Sequence, residues 1–117
     1  MRPQNLPRAV GERRAKELIL SAQPFTAIEA HAWGMVNKLC EPGTVVKEAL
    51  AAAQRFADCA PLSVRQAKKS IHFGLQTDLH CGYRIELEAY YRLLDTDDRR
   101  EGIAAFNEKR KPKFTGS

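Results

Sequence analysis

Chemistry on a protein needs ionisable or nucleophilic side chains that converge on one point, and few residues of this chain are spaced to do so. General acid and base work calls for two carboxyl groups with unlike pKa values held around one reacting atom. The tightest acidic pair inside a helical stretch is Glu86 and Glu88. Two residues along a helix is a rotation of about 200°, so these side chains point apart. Asp97 and Asp98 are adjacent, but they follow Thr96 at the start of a helix, where capping and the helix dipole account for both. His31, His72 and His80 are scattered, none with a histidine four residues away to share a metal. Cys40, Cys59 and Cys81 form no C-x-x-C pair, which argues against structural zinc and against a disulfide framework. Neither a P-loop nor a Gly-x-Gly-x-x-Gly run occurs. The sequence therefore predicts no catalytic residue and no metal ligand.

One pair suits ligand recognition. Phe106 and Lys109 lie three residues apart in Phe106-Asn107-Glu108-Lys109-Arg110-Lys111. Neighbouring on a helical face, an aromatic ring and an ammonium suit a nucleotide, the ring against the base and the lysine beside a phosphate. The competing reading makes Phe106 a core anchor and Lys109 a solvated surface charge.

The elements that must position these residues read as helix after helix. Pro7 to Gly11 is expected to turn. From Gly11 to about Ala22 the apolar stripe Ala15, Leu18, Ile19 and Ala22 predicts a short helix. Thr26 and Glu29 have capping-box spacing, and Gly34 ends the helix they open. Met35 to Cys40 alternates enough to suggest a brief extended segment. After Pro42-Gly43, Thr44 is placed to cap a long helix with the stripe Val46, Ala49, Leu50, Ala53, Phe56 and Ala57. Pro61 suits the first turn of the next, striped by Val64, Ala67, Ile71 and Leu75. Asp78 is set to cap a helix bearing Tyr83, Leu87, Tyr90, Tyr91 and Leu94, and Thr96 a last one that carries Ile103 and Phe106 and ends at Pro112. The expected fold class is all-α, with five or six helices and at most one short strand.

At 117 residues and 44% hydrophobic the chain has the material for one core. It lacks an apolar run of membrane-spanning length, and Met1-Arg2-Pro3-Gln4 does not begin a secretory signal. With three thiols and no framework, a reducing cytoplasm is the expected compartment. The net charge of +5 and a pI near 9.3 suit an anionic partner. The cations gather at the two ends: Arg2, Arg8, Arg13, Arg14 and Lys16 at the start, Lys109, Arg110, Lys111 and Lys113 at the finish. Nucleic acid is disfavoured, because no known binding motif accompanies the charge.

Three stretches, taken in order, resemble the enoyl-CoA hydratase (crotonase) superfamily. They are Leu6-Pro7-Arg8-Ala9-Val10-Gly11 with Ala15-Lys16-Glu17-Leu18-Ile19-Leu20; Ala27-Ile28-Glu29-Ala30-His31-Ala32-Trp33-Gly34-Met35-Val36-Asn37, which matches A-x-E-A-x-x-x-G-L-V-N; and Asp98-Arg99-Arg100-Glu101-Gly102-Ile103-Ala104-Ala105-Phe106, continuing through Glu108-Lys109-Arg110-Lys111-Pro112. Ala60-Pro61-Leu62 and Ala67-Lys68 match a further helix of the family. The resemblance covers nearly the whole chain and identifies it with the C-terminal helical region of such a protein, residues 1–117 being one oligomerisation and coenzyme A-contacting lobe.

The resemblance implies a parent of spiral β/α architecture that adds water across the double bond of 2-enoyl-CoA thioesters, in fatty-acid or acyl-CoA metabolism. It implies no cofactor, since the coenzyme A thioester is the substrate. It also implies a homo-oligomer, trimeric or hexameric. Two glutamates and an oxyanion hole of two backbone N–H groups carry that reaction in the family, on segments that match nothing here, so the chain by itself is expected to be inactive. Phe106 and Lys109 match positions that approach the adenine and 3′-phosphate end of coenzyme A held in a neighbouring subunit. Tyr90, Tyr91 and Leu94 are expected in the core or at the border of an acyl pocket. The start departs from the family: Gly-Gly-Thr-Gln-Arg is usual where this chain has Arg2-Pro3-Gln4-Asn5, and only Gln4 fits. A truncation boundary, an internal start or a gene-model break would each produce that change. The alternative reading is a helical protein-interaction module with no catalytic role.

Overall fold

A computed structural model of the chain describes residues 3–117. Met1 and Arg2, and with them one of the N-terminal cations, lie outside the described residues. Among those described there are seven α-helices and no strand. The all-α expectation holds, but the helix count exceeds the five or six expected. The chain divides into two compact units, residues 1–48 and 49–117.

The additional helix is α1, Asn5–Val10, where a turn was expected. Pro7 does not oppose it, because proline is the third residue of the helix and its missing N–H would have had no intrahelical acceptor there. Gly11, at φ +80°, ends α1 and precedes α2, Glu12–Ser21. Ala15 and Leu18 of the anticipated stripe are buried with Leu6, and Phe25, Trp33 and Met35 pack against them. The Phe25 and Trp33 rings lie 5.4 Å apart, and the Arg14 guanidinium sits 4.7 Å over the indole. Helix α3, Ala27–Ala32, opens with the expected capping box: Thr26 Oγ1 accepts from the Glu29 N–H (3.2 Å) and Glu29 accepts from the Thr26 N–H (2.8 Å). It closes through Gly34 at φ +74°, with the Met35 N–H returned to the Ala30 carbonyl (2.9 Å). The extended segment expected from Met35 to Cys40 does not form. Those residues run through bends into irregular chain, because Met35 is used in the helix stop and packs on the first core.

Helix α4, Val45–Ala57, has the expected period but buries none of its residues. The first-unit ion pair Lys38–Glu48 (2.5 Å) ties its first turn to the preceding segment. In the second unit, α5, Pro61–Gly74, packs along α6, Leu79–Tyr91. Pro61 is at N1 as expected, and Asp78 caps α6 by accepting from the Cys81 N–H (3.0 Å). Helix α7, Asp97–Asn107, is capped by Thr96, whose hydroxyl accepts from the Arg99 N–H (3.3 Å). It stops five residues before Pro112. A left-handed Lys109 (φ +54°) makes the stop, with the Lys109 N–H on the Phe106 carbonyl (3.2 Å) and the Arg110 N–H on Ala105 (3.0 Å).

Candidate ligand-binding turn at the end of helix α7

The stop of α7 carries both residues singled out for ligand recognition. Phe106 is 84% exposed and so is no core anchor in this chain. Ala105, beside it, is buried in its place. The premise that Phe106 and Lys109 share one helical face is corrected, because the helix ends at Asn107 and Lys109 belongs to the turn that follows. A lysine in the left-handed region costs roughly 1–2 kcal/mol against the right-handed one, which is why glycine is the usual choice there.

The four cations that follow Phe106 divide into two kinds. The Arg110 guanidinium forks onto Glu101, with Nη1 on Oε1 at 2.6 Å and Nη2 on Oε2 at 2.9 Å, and its Nε donates to Glu108 at 2.6 Å. Lys111 pairs with Asp58 (3.0 Å), whose carboxyl is held below its usual range by Gln54 and then by Lys111. The side chains of Lys109 and Lys113 form no hydrogen bond or ion pair among the described residues. The Lys113 charge lies near enough to Glu101 to help hold that carboxyl low, which leaves Lys109 as the cation of the four with no acidic partner among the described residues.

A tail clamp supports the turn. Asp98 is only 2% exposed and accepts from the N–H groups of Thr115 (2.7 Å) and Gly116 (2.9 Å), while its own N–H donates to the Ser117 carbonyl (3.1 Å). Helix-dipole chemistry explains Asp97, which pairs with Arg100 (2.6 Å), but Asp98 is a tail anchor. Glu101 adds a bond from the Lys113 N–H (2.7 Å). Its pKa falls from 4.5 to about 2, first through the Arg110 fork and then through that N–H. Phe114 lies over Gly102, where a Cβ would stand 3.6 Å from its ring. Sequence reading missed the clamp, although its acids Asp98 and Glu101 and the cation Arg110 stand inside the Asp98-to-Pro112 stretch that carried the resemblance; their tail partners, from Lys113 on, lie beyond it. The two acids spaced i, i+3 and a basic residue beyond the helix were the available signal.

Among the described residues, the glutamate pair and the three histidines singled out in the sequence occupy separate places. Glu86 borders a groove of about 480 Å³ between α5 and α6, whereas Glu88 borders a separate one with Cys81 and Tyr91 and pairs with Arg92 (2.9 Å). Tyr90 lines the first groove and Tyr91 the second, both more than half exposed, so neither is a core residue of this chain. His31 is exposed near the end of α3, and His72 is edge-on to Phe73. His80 lies with Asp78 and Cys81, their ligand atoms within 4.8 Å of one another, a grouping that a search for paired histidines or C-x-x-C overlooks. That carboxylate is engaged as the cap of α6, and its proximity pushes the Cys81 thiol pKa up, away from the thiolate a metal would need. All three cysteines are free thiols. At the other end of the chain, Arg14 pairs with Glu17 and Lys16 with Glu12. No helix among the described residues is long and apolar enough to cross a membrane.

Comparison with known proteins agrees with this helical frame. The crystal structure of enoyl-CoA hydratase from Bacillus anthracis superposes with a TM-score of 0.96 at 40% identity, covering 98% of this chain and 45% of that one. The Arabidopsis thaliana protein named "Probable enoyl-CoA hydratase 2, mitochondrial" is 42% identical over 114 residues, 97% of this chain and 38% of its own length. Human mitochondrial methylglutaconyl-CoA hydratase is 39% identical over 117 residues, 34% of its length. The chain thus spans less than half the length of these relatives. The sequence profile described as Enoyl-CoA hydratase/isomerase matches residues 2–117, nearly the full extent of the helices and clamp just described, and the chain belongs to the enoyl-CoA hydratase/isomerase family.

Proposed function

We propose that these 117 residues are the C-terminal, coenzyme A-contacting and subunit-packing region of an enoyl-CoA hydratase-like lyase. Phe106 offers its ring to the adenine and Lys109 its ammonium to the 3′-phosphate. Water addition to the 2-enoyl thioester is left to parts of the family fold that these residues do not contain. The observation that carries this reading is the turn after α7, where a fully presented aromatic precedes a lysine held in left-handed backbone with its charge unspent. Backbone strain of this kind persists where the surroundings impose it, and it concentrates at ligand sites.

Titration calorimetry with coenzyme A tests the reading. Lys109→Ala should weaken binding about tenfold, equivalent to ~1.4 kcal/mol, and Phe106→Ala should weaken it as well. Binding unchanged in both variants would overturn it.

The open apolar stripes favour subunit packing as the second task of the region. Ile71 is 64% and Leu75 77% exposed, and α4 buries nothing. Faces of this kind mark surfaces made to be covered. In the homo-oligomer the occupants are sister subunits, in a trimer or a pair of trimers. Light scattering at high concentration should show self-association, and a clean monomer would contradict it. A helical module that serves some other protein would bind that partner without responding to coenzyme A.

A further inference from the structure

We propose that Glu101 and Arg110 are positioning residues for Lys109, fixing the turn from which its ammonium is presented, an inference that rests on reading Lys109 as a ligand contact. Three observations bear on it. Lys109 occupies left-handed backbone (φ +54°) with no glycine to ease it, so the two turn bonds alone do not account for its choice. Its neighbours on both sides are joined across it, since Glu108 accepts from Arg110 Nε at 2.6 Å. Arg110 is then tied back into the body of α7 by the two-bond fork on Glu101 (2.6 and 2.9 Å), and the same carboxylate takes the Lys113 N–H at 2.7 Å.

The fork is what distinguishes this arrangement from an ordinary helix stop. A planar guanidinium held at two points has one orientation, which a lysine in its place cannot reproduce. Every guanidinium nitrogen of Arg110 bonds to Glu101 or Glu108, so its charge is committed within the protein. Arg110 therefore acts through Lys109 and does not itself meet the phosphate. Holding the turn in its binding geometry before the ligand arrives removes an ordering cost from the bound state.

The test compares coenzyme A with 3′-dephospho-coenzyme A on the 117-residue chain, because the ratio of the two affinities reports the 3′-phosphate contact alone. The unaltered chain should prefer coenzyme A about tenfold, and Lys109→Ala should bring the ratio to about one. Glu101→Gln and Arg110→Lys should each cut the ratio to about threefold, with binding of the dephospho compound unchanged. In the Glu101→Gln, Lys109→Ala double variant nothing further should be lost. If Glu101→Gln and Arg110→Lys keep the full ratio, or weaken both nucleotides equally, the positioning role is overturned while Lys109 stands as a contact. Should Glu101→Gln fail to fold by far-UV circular dichroism, Arg110→Lys decides alone. A ratio of one in the unaltered chain, or a tenfold ratio that survives Lys109→Ala, overturns the contact and the positioning role together.

Discussion

The end of the chain and the α5–α6 pair treat their side chains in opposite ways. From Asp97 to Ser117 most polar groups are matched within a short span, Asp98 to Thr115 and Gly116 and Glu101 to Arg110 and Lys113, while Lys111 reaches out of it to Asp58. Along α5 and α6 the apolar residues are the unmatched ones, with Ile71, Leu75, Leu79 and Tyr91 all more than half exposed. Unpaired polar groups are costly to bury, and bare apolar faces are costly to leave in water. A segment that has met the first demand by itself is finished as a structural piece. One that has not met the second is built to lie against something else. On the proposed reading, the contrast separates a clamped tail that carries Phe106 and Lys109 from the apolar faces that the helices before it offer for packing.

The sharpest way to break that contrast is to remove the anchor of the tail. Asp98→Ala leaves two tail N–H groups without their charged acceptor, and about 2 kcal/mol of stability should go with it in urea denaturation. Amide exchange at Thr115 and Gly116 should rise well before exchange in α5 and α6. Equal protection at both places would show that the tail is not separately held.

A second test uses pH. The Glu101 carboxyl is held at about 2 against 4.5, so its charged form is favoured by the fold. Its contribution is fully present above pH 4.5 and is lost as pH falls from there through about 2. Glu29, Asp58, Asp78 and Glu88 are lowered too and add to the same acid slope. Glu101→Gln should make the slope of stability shallower between pH 4.5 and 2 and leave it unchanged above. An identical acid slope in the variant would remove Glu101 from the clamp.

The smallest stability effect is expected on the packing surface. Leu75→Lys touches little within the chain, so unfolding should move by no more than ~0.5 kcal/mol, while self-association by light scattering falls. A large loss of monomer stability would mean that Leu75 is part of this chain's own core.

Helix caps and periods were legible in the sequence because they are local: Thr26 with Glu29, Asp78, Thr96 and Pro61 each act within one turn. Most of the α2 stripe also read correctly, since Ala15 and Leu18 find their partner Leu6 nearby and Ile19 packs against them, whereas Ala22 is the exposed left-handed cap beyond the helix. What was not legible depends on distance along the chain or on a missing neighbour. Asp98 looked like a dipole residue until Thr115 and Gly116 were seen to return to it, and the stop of α7 at Lys109 hides behind a residue type that seldom adopts left-handed backbone. Periodicity in α4, α5 and α6 marks apolar faces without saying whether this chain covers them. Phe106 shows the same limit, as its apolar character suggested a core position and the structure exposes it.

The division between a ligand-presenting platform and a reaction carried elsewhere has one direct test: hydration of a short 2-enoyl-CoA by the purified 117-residue chain, followed by loss of enoyl absorbance. With most of its acids engaged in caps, the clamp and ion pairs and no paired carboxylates at one centre, the chain should give no turnover above the uncatalysed rate, while still binding coenzyme A through Lys109. Steady hydration that scales with protein concentration and survives removal of trace contaminants would contradict the account.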